Sequence, residues 1–181
     1  MTARLKLGAQ AVAVGLVLGL LALLIWKVTS GNGGGVASKI DHGKIVSAPN
    51  FTLGRLDRAG DLQLAALRGR PVVLNFWASW CYPCNQEAHT LETASHEWAG
   101  KATVLGVDVR DATGEARKFL HQHRITYPAV HDNRDKMWPS YGLTGLPETF
   151  FVDPRGRVVG HVAGQISAAD LRRGIEEALR S

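Results

Sequence analysis

The chain has 181 residues, 45% of them apolar, enough for one domain of ordinary size and a further segment. Its formal charge of +5 is gathered at one end: residues 1–44 hold Arg4, Lys6, Lys27, Lys39 and Lys44 against Asp41, and the remainder holds 16 basic and 15 acidic side chains. A domain so close to neutral excludes the electrostatic footprint of a nucleic-acid binder.

Leu7 to Trp26 is a run of twenty residues with Gln10 as its only polar side chain, the length that crosses a hydrocarbon core as a helix. Arg4 and Lys6 precede it with no acid nearby. This predicts a cytoplasmic N-terminus (1–6), a single transmembrane signal-anchor helix (7–28) and an extracytoplasmic remainder. A cleaved signal peptide would have a shorter apolar stretch and a small-residue cleavage site, for which Val28-Thr29-Ser30 is a weak substitute. Ser30-Gly31-Asn32-Gly33-Gly34-Gly35 reads as a flexible tether, with a linker lacking packed structure over 29–44 and a soluble domain over 45–181.

The domain opens with Ala48-Pro49-Asn50-Phe51-Thr52-Leu53, a strand start with Pro49 at its edge, and Leu62-Gln63-Leu64 returns after the turn residues Asp57 to Asp61. Together they predict an N-terminal β-hairpin. Val72 to Trp77 reads as a buried strand. A helix follows from about Cys81 to Trp98, with Ala88, Leu91, Ala94 and Trp98 on its inner face and Gly100 as its stop. Ala102–Val109 is a second buried strand. Thr113 caps a further helix, Ile125–Val130 forms a short strand, and Asp135–Tyr141 a short helix weakened by Pro139. A strand through Val152, the turn Asp153-Pro154-Arg155-Gly156 and a strand Arg157–Val162 come next. Ser167 caps the last helix, whose inward residues are Leu171, Ile175 and Leu179.

Trp80-Cys81-Tyr82-Pro83-Cys84 stands at the strand-to-helix junction and holds the only two cysteines. A Cys-X-X-Cys there is a redox signature, because thiolate is the nucleophile and the unpaired N–H groups of a first helical turn favour it. Cys81 is expected at the helix start and exposed, with Cys84 one turn in and close enough to form a disulfide. Zinc binding usually needs four ligands, and two cysteines supply half. His89, five residues past Cys84, lies about 140° round the helix and points away from the pair.

Asn75-Phe76-Trp77-Ala78-Ser79-Trp80-Cys81-Tyr82-Pro83-Cys84 resembles the active-site block of membrane-anchored, exported thioredoxin-like proteins of the TlpA/ResA/CcmG (DsbE) family. Ala48-Pro49-Asn50-Phe51 resembles that family's domain start, and Gly142-Leu143-Thr144-Gly145-Leu146-Pro147-Glu148-Thr149-Phe150 the proline loop of its CcmG/DsbE branch. The resemblance covers roughly Ile45 to the C-terminus. It implies an α/β thioredoxin-like fold, a central mixed sheet flanked by helices, with the hairpin as an N-terminal extension. It also implies Cys81 as the attacking thiol, Cys84 as the resolving one and Pro147 as a cis-proline beside the disulfide. Trp80, Tyr82, Pro83, Leu146 and Glu148 would line the substrate groove. Thioredoxin's buried aspartate is matched by Asn75, which cannot take a proton, so Glu87, three residues after Cys84 as in the ResA pattern, is the candidate acid.

The implied activity is thiol–disulfide oxidoreduction with no cofactor beyond a redox-active Cys81–Cys84 disulfide and no metal. Implied partners are a disulfide-bearing exported protein, in particular the haem-site cysteines of apocytochrome c, and a membrane thiol carrier of the CcdA/DsbD type as electron donor. A general extracytoplasmic oxidoreductase is one alternative. A copper chaperone using both cysteines with His89, His121 or His123 is another, and a redox-inert binding module a third.

Overall fold

The structure, a computed structural model, describes residues 14–26 and 35–181. Two units divide the chain between Gly34 and Gly35. In the first, residues 14–26 are helical (α1) and their side chains exposed. No helix among the described residues is long and apolar enough to cross a membrane. The expected cytoplasmic segment 1–6, both ends of the expected anchor (7–13 and 27–28) and the tether through Gly34 lie outside the described residues.

The second unit runs α2 (Val36–Asp41), β1 (Val46–Ser47), β2 (Thr52–Arg55), β3 (Asp61–Gln63), a 3-10 turn (Leu64–Leu67), β4 (Val72–Trp77), α3 (Tyr82–Glu97), β5 (Thr103–Val109) and α4 (Thr113–Gln122). It continues with β6 (Ala129–Asp132), α5 (Met137–Tyr141), β7 (Glu148–Val152), β8 (Arg157–Ala163) and α6 (Ala168–Arg180). One eight-stranded mixed sheet takes the order β1-β8-β7-β4-β5-β6-β2-β3. β4, β5 and β6 are parallel, as strands joined through helices must be, and β7 returns antiparallel against β4. The β2–β3 hairpin extends the sheet beyond β6. This is the thioredoxin-like α/β architecture.

All six residues of β4 are buried, so the sheet is covered on both faces. Side chains alternate across a strand. Val72, Leu74 and Phe76 accordingly join Phe150 and Tyr141 in a core shared with α2 and α5. Val73 joins Leu91, Phe151, Leu171 and Ile175 on the face covered by α3 and α6. The same alternation aims Asn75 beneath α3.

Several boundaries differ from the sequence expectation. Residues 36–41 of the expected unpacked linker form α2, with Val36 and Ala37 in the core, because the domain needs this helix to cover Tyr141 and Met137. Ala112, not Thr113, is the N-cap of α4, and Asp111 Oδ1 takes the Ala112 N–H. The strand expected over 125–130 is Ala129–Asp132. Upstream, the Ile125 N–H closes α4 on Leu120 and Thr126 is held by Glu92. On α6 the buried stripe runs Leu171, Ile175, Ala178, and Leu179 is 44% exposed. At ~100° per residue Ala178 lies about 20° from Leu171 and Leu179 about 80°. Ser167 caps α6 as expected, accepting from the Asp170 N–H.

Candidate active site

Helix α3 starts at Tyr82 because Cys81 breaks the helical path (φ −80°, ψ 109°) and acts as N-cap, with Pro83 placed in the first turn where its missing N–H costs nothing. The Cys84 N–H donates to Cys81 Sγ at 3.2 Å, so the sulfur sits on an unpaired donor of the helix end. The two cysteines form a disulfide with an S–S length of 2.05 Å and a Cα–Cα distance of 5.3 Å.

Cys81 is 3% exposed and Cys84 2%, so the expectation of an exposed Cys81 is corrected. Both sulfurs belong to an apolar cluster with Trp77, Ala78 and Ala88, and Leu146 packs against it. The exposed groups are the neighbours: Trp80 at 61% and Tyr82 at 74%. Two contacts hold the segment before Cys81: Asp111 Oδ2 accepts from the Ser79 N–H at 2.5 Å, and the Trp80 indole donates to the Arg110 carbonyl at 3.0 Å. The Leu146–Pro147 peptide bond is cis. Gly164 N donates to the Pro147 carbonyl at 2.8 Å, tying that loop to the end of β8.

Glu87 is 1% exposed. Its Oε1 accepts from Asn75 Nδ2 at 2.7 Å and its Oε2 from the Ile166 N–H at 2.8 Å. Asn75 also donates to Thr149 Oγ1 at 3.0 Å. Burial pushes the Glu87 carboxyl up to about 7, against the hydrogen bonds from Ile166 and Asn75 that favour its charged form. A carboxyl one helical turn beyond Cys84 that changes charge near neutrality is suited to exchanging a proton with a thiol.

Glu148 is equally buried, at 1%, and lies on the other face of the sheet. Its neighbour Thr149 points with Asn75 towards α3, so Glu148 points with Phe150 towards α2. Oε1 accepts from Thr144 N, Thr144 Oγ1 and Gly145 N at 2.6, 2.9 and 3.0 Å. Oε2 is 2.9 Å from His161 Nε2. Burial works to raise its pKa, but the bonds from His161, Thr144 and Gly145 outweigh it and hold Glu148 below the usual carboxylate value. Both oxygens are thus committed to the loop and to His161, which ties Glu148 to the shape of the proline loop.

Sequence reading missed the partners that define these acids: Ile166 and Thr149 for Glu87, His161 for Glu148. Strand parity was the available signal, since His161 stands opposite Phe150 in the β7–β8 register and stacks on it. Other buried acids also went unnoticed, Asp108 among them. Asp108 on β5 is wholly buried, with His131 Nδ1 2.6 Å from Oδ2, and burial together with the charge of Asp111 pushes its carboxyl up to about 8. Of the histidines considered as metal partners, His123 is engaged with Asn85 Oδ1 and packs on Phe119. Among the described residues no group of three or more His, Cys, Asp or Glu stands where it could hold a metal.

Residues 46–161 match the AhpC/TSA family. The chain is 30% identical over 131 residues to the thiol-disulfide oxidoreductase ResA of Geobacillus thermodenitrificans, covering 72% of this chain and 75% of that protein. It is 31% identical over 122 residues to ResA of Bacillus subtilis, covering 66% and 67%. Among solved structures, the thiol:disulfide interchange protein DsbE from Chlorobium tepidum matches with a TM-score of 0.68 at 31% identity, over 74% of this chain and 95% of that one. A secreted Mycobacterium tuberculosis disulfide oxidoreductase homologous to E. coli DsbE matches at 0.63 and 25%, over 70% and 94%. Because the match runs through the sheet, the cysteine pair and the proline loop alike, the chain belongs to the AhpC/TSA family and is a thiol–disulfide oxidoreductase of the ResA/DsbE type.

Proposed function

We propose that the protein is an exported, membrane-tethered reductase of disulfides in exported proteins, acting on the haem-site cysteines of apocytochrome c. The observation that carries the exchange chemistry is the Cys81–Cys84 disulfide at the start of α3, with the buried Glu87 carboxyl, pushed up to about 7 by burial, one turn further on; the reductive direction rests on the family resemblance. The apolar run Leu7–Trp26 behind Arg4 and Lys6 supports a signal-anchor with a cytoplasmic N-terminus. That one structural neighbour is described as secreted supports export. The cytochrome reading rests on the resemblance of the active-site block and proline loop.

In the reaction, the Cys81 thiolate attacks one sulfur of the substrate disulfide; the other leaves as thiolate and takes up a proton. Cys84, its proton passed to Glu87, then attacks Cys81 Sγ in the mixed disulfide. The second substrate sulfur leaves and is protonated, and the Cys81–Cys84 disulfide remains. Two electrons have moved to the substrate together with two protons, one from Cys84 by way of Glu87 and one drawn from water, because Cys81 entered as the thiolate. A dithiol carrier in the membrane, of the CcdA/DsbD type, returns two electrons to the pair, and the exchange needs no cofactor beside the two sulfurs and the Glu87 carboxyl. Trp80, Tyr82, Pro83 and the cis-proline loop at Leu146–Pro147 form the surface against which the substrate chain lies.

Cells lacking the protein should lose holocytochrome c, and an added small thiol should restore it. Holocytochrome c at wild-type levels in such cells would remove the cytochrome assignment.

A further inference from the structure

Helix α2 meets the Gly142–Pro147 loop at both ends. At the start, Gly35, the N-cap of α2, lies so close to Gly142 that a Cβ on it would run into the Gly142 backbone. At the far end, Asp41 reaches Glu148 through a single ring. His161 Nδ1 is 2.9 Å from Asp41 Oδ1, and Nε2 is 2.9 Å from Glu148 Oε2. The His161 side chain is 4% exposed and Glu148 1%, while Asp41 stands at the surface with 57%. A stacked contact with Phe150, centroids 4.4 Å apart, fixes the ring plane. Through Glu148 Oε1 the connection continues to the Thr144 and Gly145 backbone.

Carboxylates only accept, so two of them on two ring nitrogens call for two N–H donors, which the imidazolium alone provides. Burial opposes that charge, but the hydrogen bonds to Glu148 and Asp41 outweigh it and raise the His161 pKa. The charged groups that face the ring are Asp41 from α2 and Glu148 from β7; β1, on the outer side of β8, brings Val46 and Ser47 and nothing that titrates.

We propose that His161 and Asp41 are positioning residues for thiol–disulfide exchange: they clasp the cis-proline loop to α2 and thereby set the grip on an incoming disulfide-bearing peptide. The inference rests on the reading of that loop as substrate-contacting. Because both residues act through Glu148 and the loop backbone, their effect falls on KM and leaves the cysteine chemistry alone. The clasp holds while His161 is protonated and loosens as pH rises through its raised pKa.

The test uses the full chain in detergent and a synthetic peptide closed by an internal disulfide. KM and kcat are measured from pH 6 to 9 for the wild type, Asp41→Asn and His161→Gln, with a small dithiol as electron donor and its direct reaction with the peptide subtracted, the His161 ring titrated by NMR and Cys81 alkylation followed in parallel. Asp41→Asn should lower the His161 midpoint and bring the alkaline rise in KM to lower pH by the same amount. Its kcat and alkylation profile should stay at wild-type values. His161→Gln should raise KM about threefold or more and flatten its pH dependence. A lowered His161 midpoint with a KM profile superimposable on wild type would overturn the proposal, as would an unmoved midpoint. Asp41→Asn decides the matter alone if His161→Gln does not fold. Wild type that fails to reduce the peptide at any pH would instead sink the reductive reading, and the clasp's role with it.

Discussion

Asn75 on β4 and Glu87 on α3 form a 2.7 Å hydrogen bond in the buried layer between sheet and helix. The two are coupled through burial: the strand cannot supply a proton, and the helix supplies a carboxyl that changes charge near neutrality. Asn75, fixed in turn by Thr149, orients that carboxyl, and the Ile166 N–H fixes its other oxygen.

This arrangement makes a signed prediction for Glu87→Gln. In the unfolded chain the carboxyl titrates near 4.5, and in the fold near 7. A raised folded pKa means that the group's contribution is full below 4.5 and is lost as pH climbs to 7. At ~1.4 kcal/mol per pH unit, the loss is on the order of 3 kcal/mol. Glutamine cannot titrate, and Asn75 can turn its amide to meet it. Chemical denaturation at pH 4.5 and pH 8 should therefore show the variant gaining on wild type by roughly 2–3 kcal/mol across that interval. The midpoint of cysteine alkylation should fall, because a negative neighbour has been removed. Parallel stability curves for the two proteins would show that Glu87 keeps its charge throughout.

The two cysteines should behave unequally when one is removed. Cys84→Ser keeps the sulfur at the N-cap, where the residue-84 N–H faces it, and should accumulate a mixed disulfide with substrate. Cys81→Ser should trap little. Gel shift under non-reducing conditions reads the difference, and equal trapping would reverse the assigned roles. Substitution of either should leave the sheet intact, since the pair lies at the end of α3.

Much of this was legible in the chain itself, and what was not has identifiable causes. Strand β4 matches the apolar run Val72–Trp77 because a strand buried on both faces needs no periodic pattern to be recognised. The helix after it was marked by cysteine, proline and glycine at its two ends. The environment of the acids was not marked. Glu87 could be singled out as a candidate acid and Glu148 as a groove residue only through the resemblance, because burial of a carboxylate depends on partners distant in sequence: Ile166 lies 79 residues from Glu87. Helix α2 was hidden by the glycine tether before it; two buried side chains, Val36 and Ala37, are too few to make a periodic signal.

A helix-interior glycine usually invites replacement by alanine, at a gain of ~1 kcal/mol. Gly174 on α6 should do the opposite. Its missing Cβ is where the ring of Phe151 lies, and Phe151 is 3% exposed and packed with Val73, Leu91, Leu171 and Ile175. Gly174→Ala should cost about 1–3 kcal/mol in urea unfolding through forced shifts of ring or helix. A variant more stable than wild type would mean that α6 and β7 are packed more loosely than this contact describes.

The export reading has its own test. Protease added to cells with an opened outer envelope and intact inner membrane should digest the 45–181 domain. A protected domain would place it on the cytoplasmic side, where Arg4 and Lys6 were expected.

The last prediction concerns the segment that presents Trp80. Asp111 Oδ2 takes the Ser79 N–H at 2.5 Å, and the Trp80 indole is held by the Arg110 carbonyl one residue earlier. Arg110 is itself fixed: it pairs with Asp135 and its guanidinium lies 3.7 Å over the Trp138 ring. Two adjacent residues after β5 thus hold two adjacent residues before Cys81. Asp111→Ala frees the Ser79 N–H, which is partly open to water, so the stability loss should be modest, about 1 kcal/mol. The larger effect should be on presentation. An indole 61% exposed keeps its orientation through that backbone, and its loss should lower kcat/KM for a peptide disulfide several-fold, or roughly 1 kcal/mol in transition-state stabilisation. Asp111→Asn retains an oxygen for Ser79 and should recover most of the rate. The alkylation profile of Cys81 should be the same in all three proteins, because the N-terminus of α3 is untouched. Equal loss in Asp111→Asn and Asp111→Ala would assign the effect to the charge of Asp111 beside Asp108, and not to the hold on Ser79.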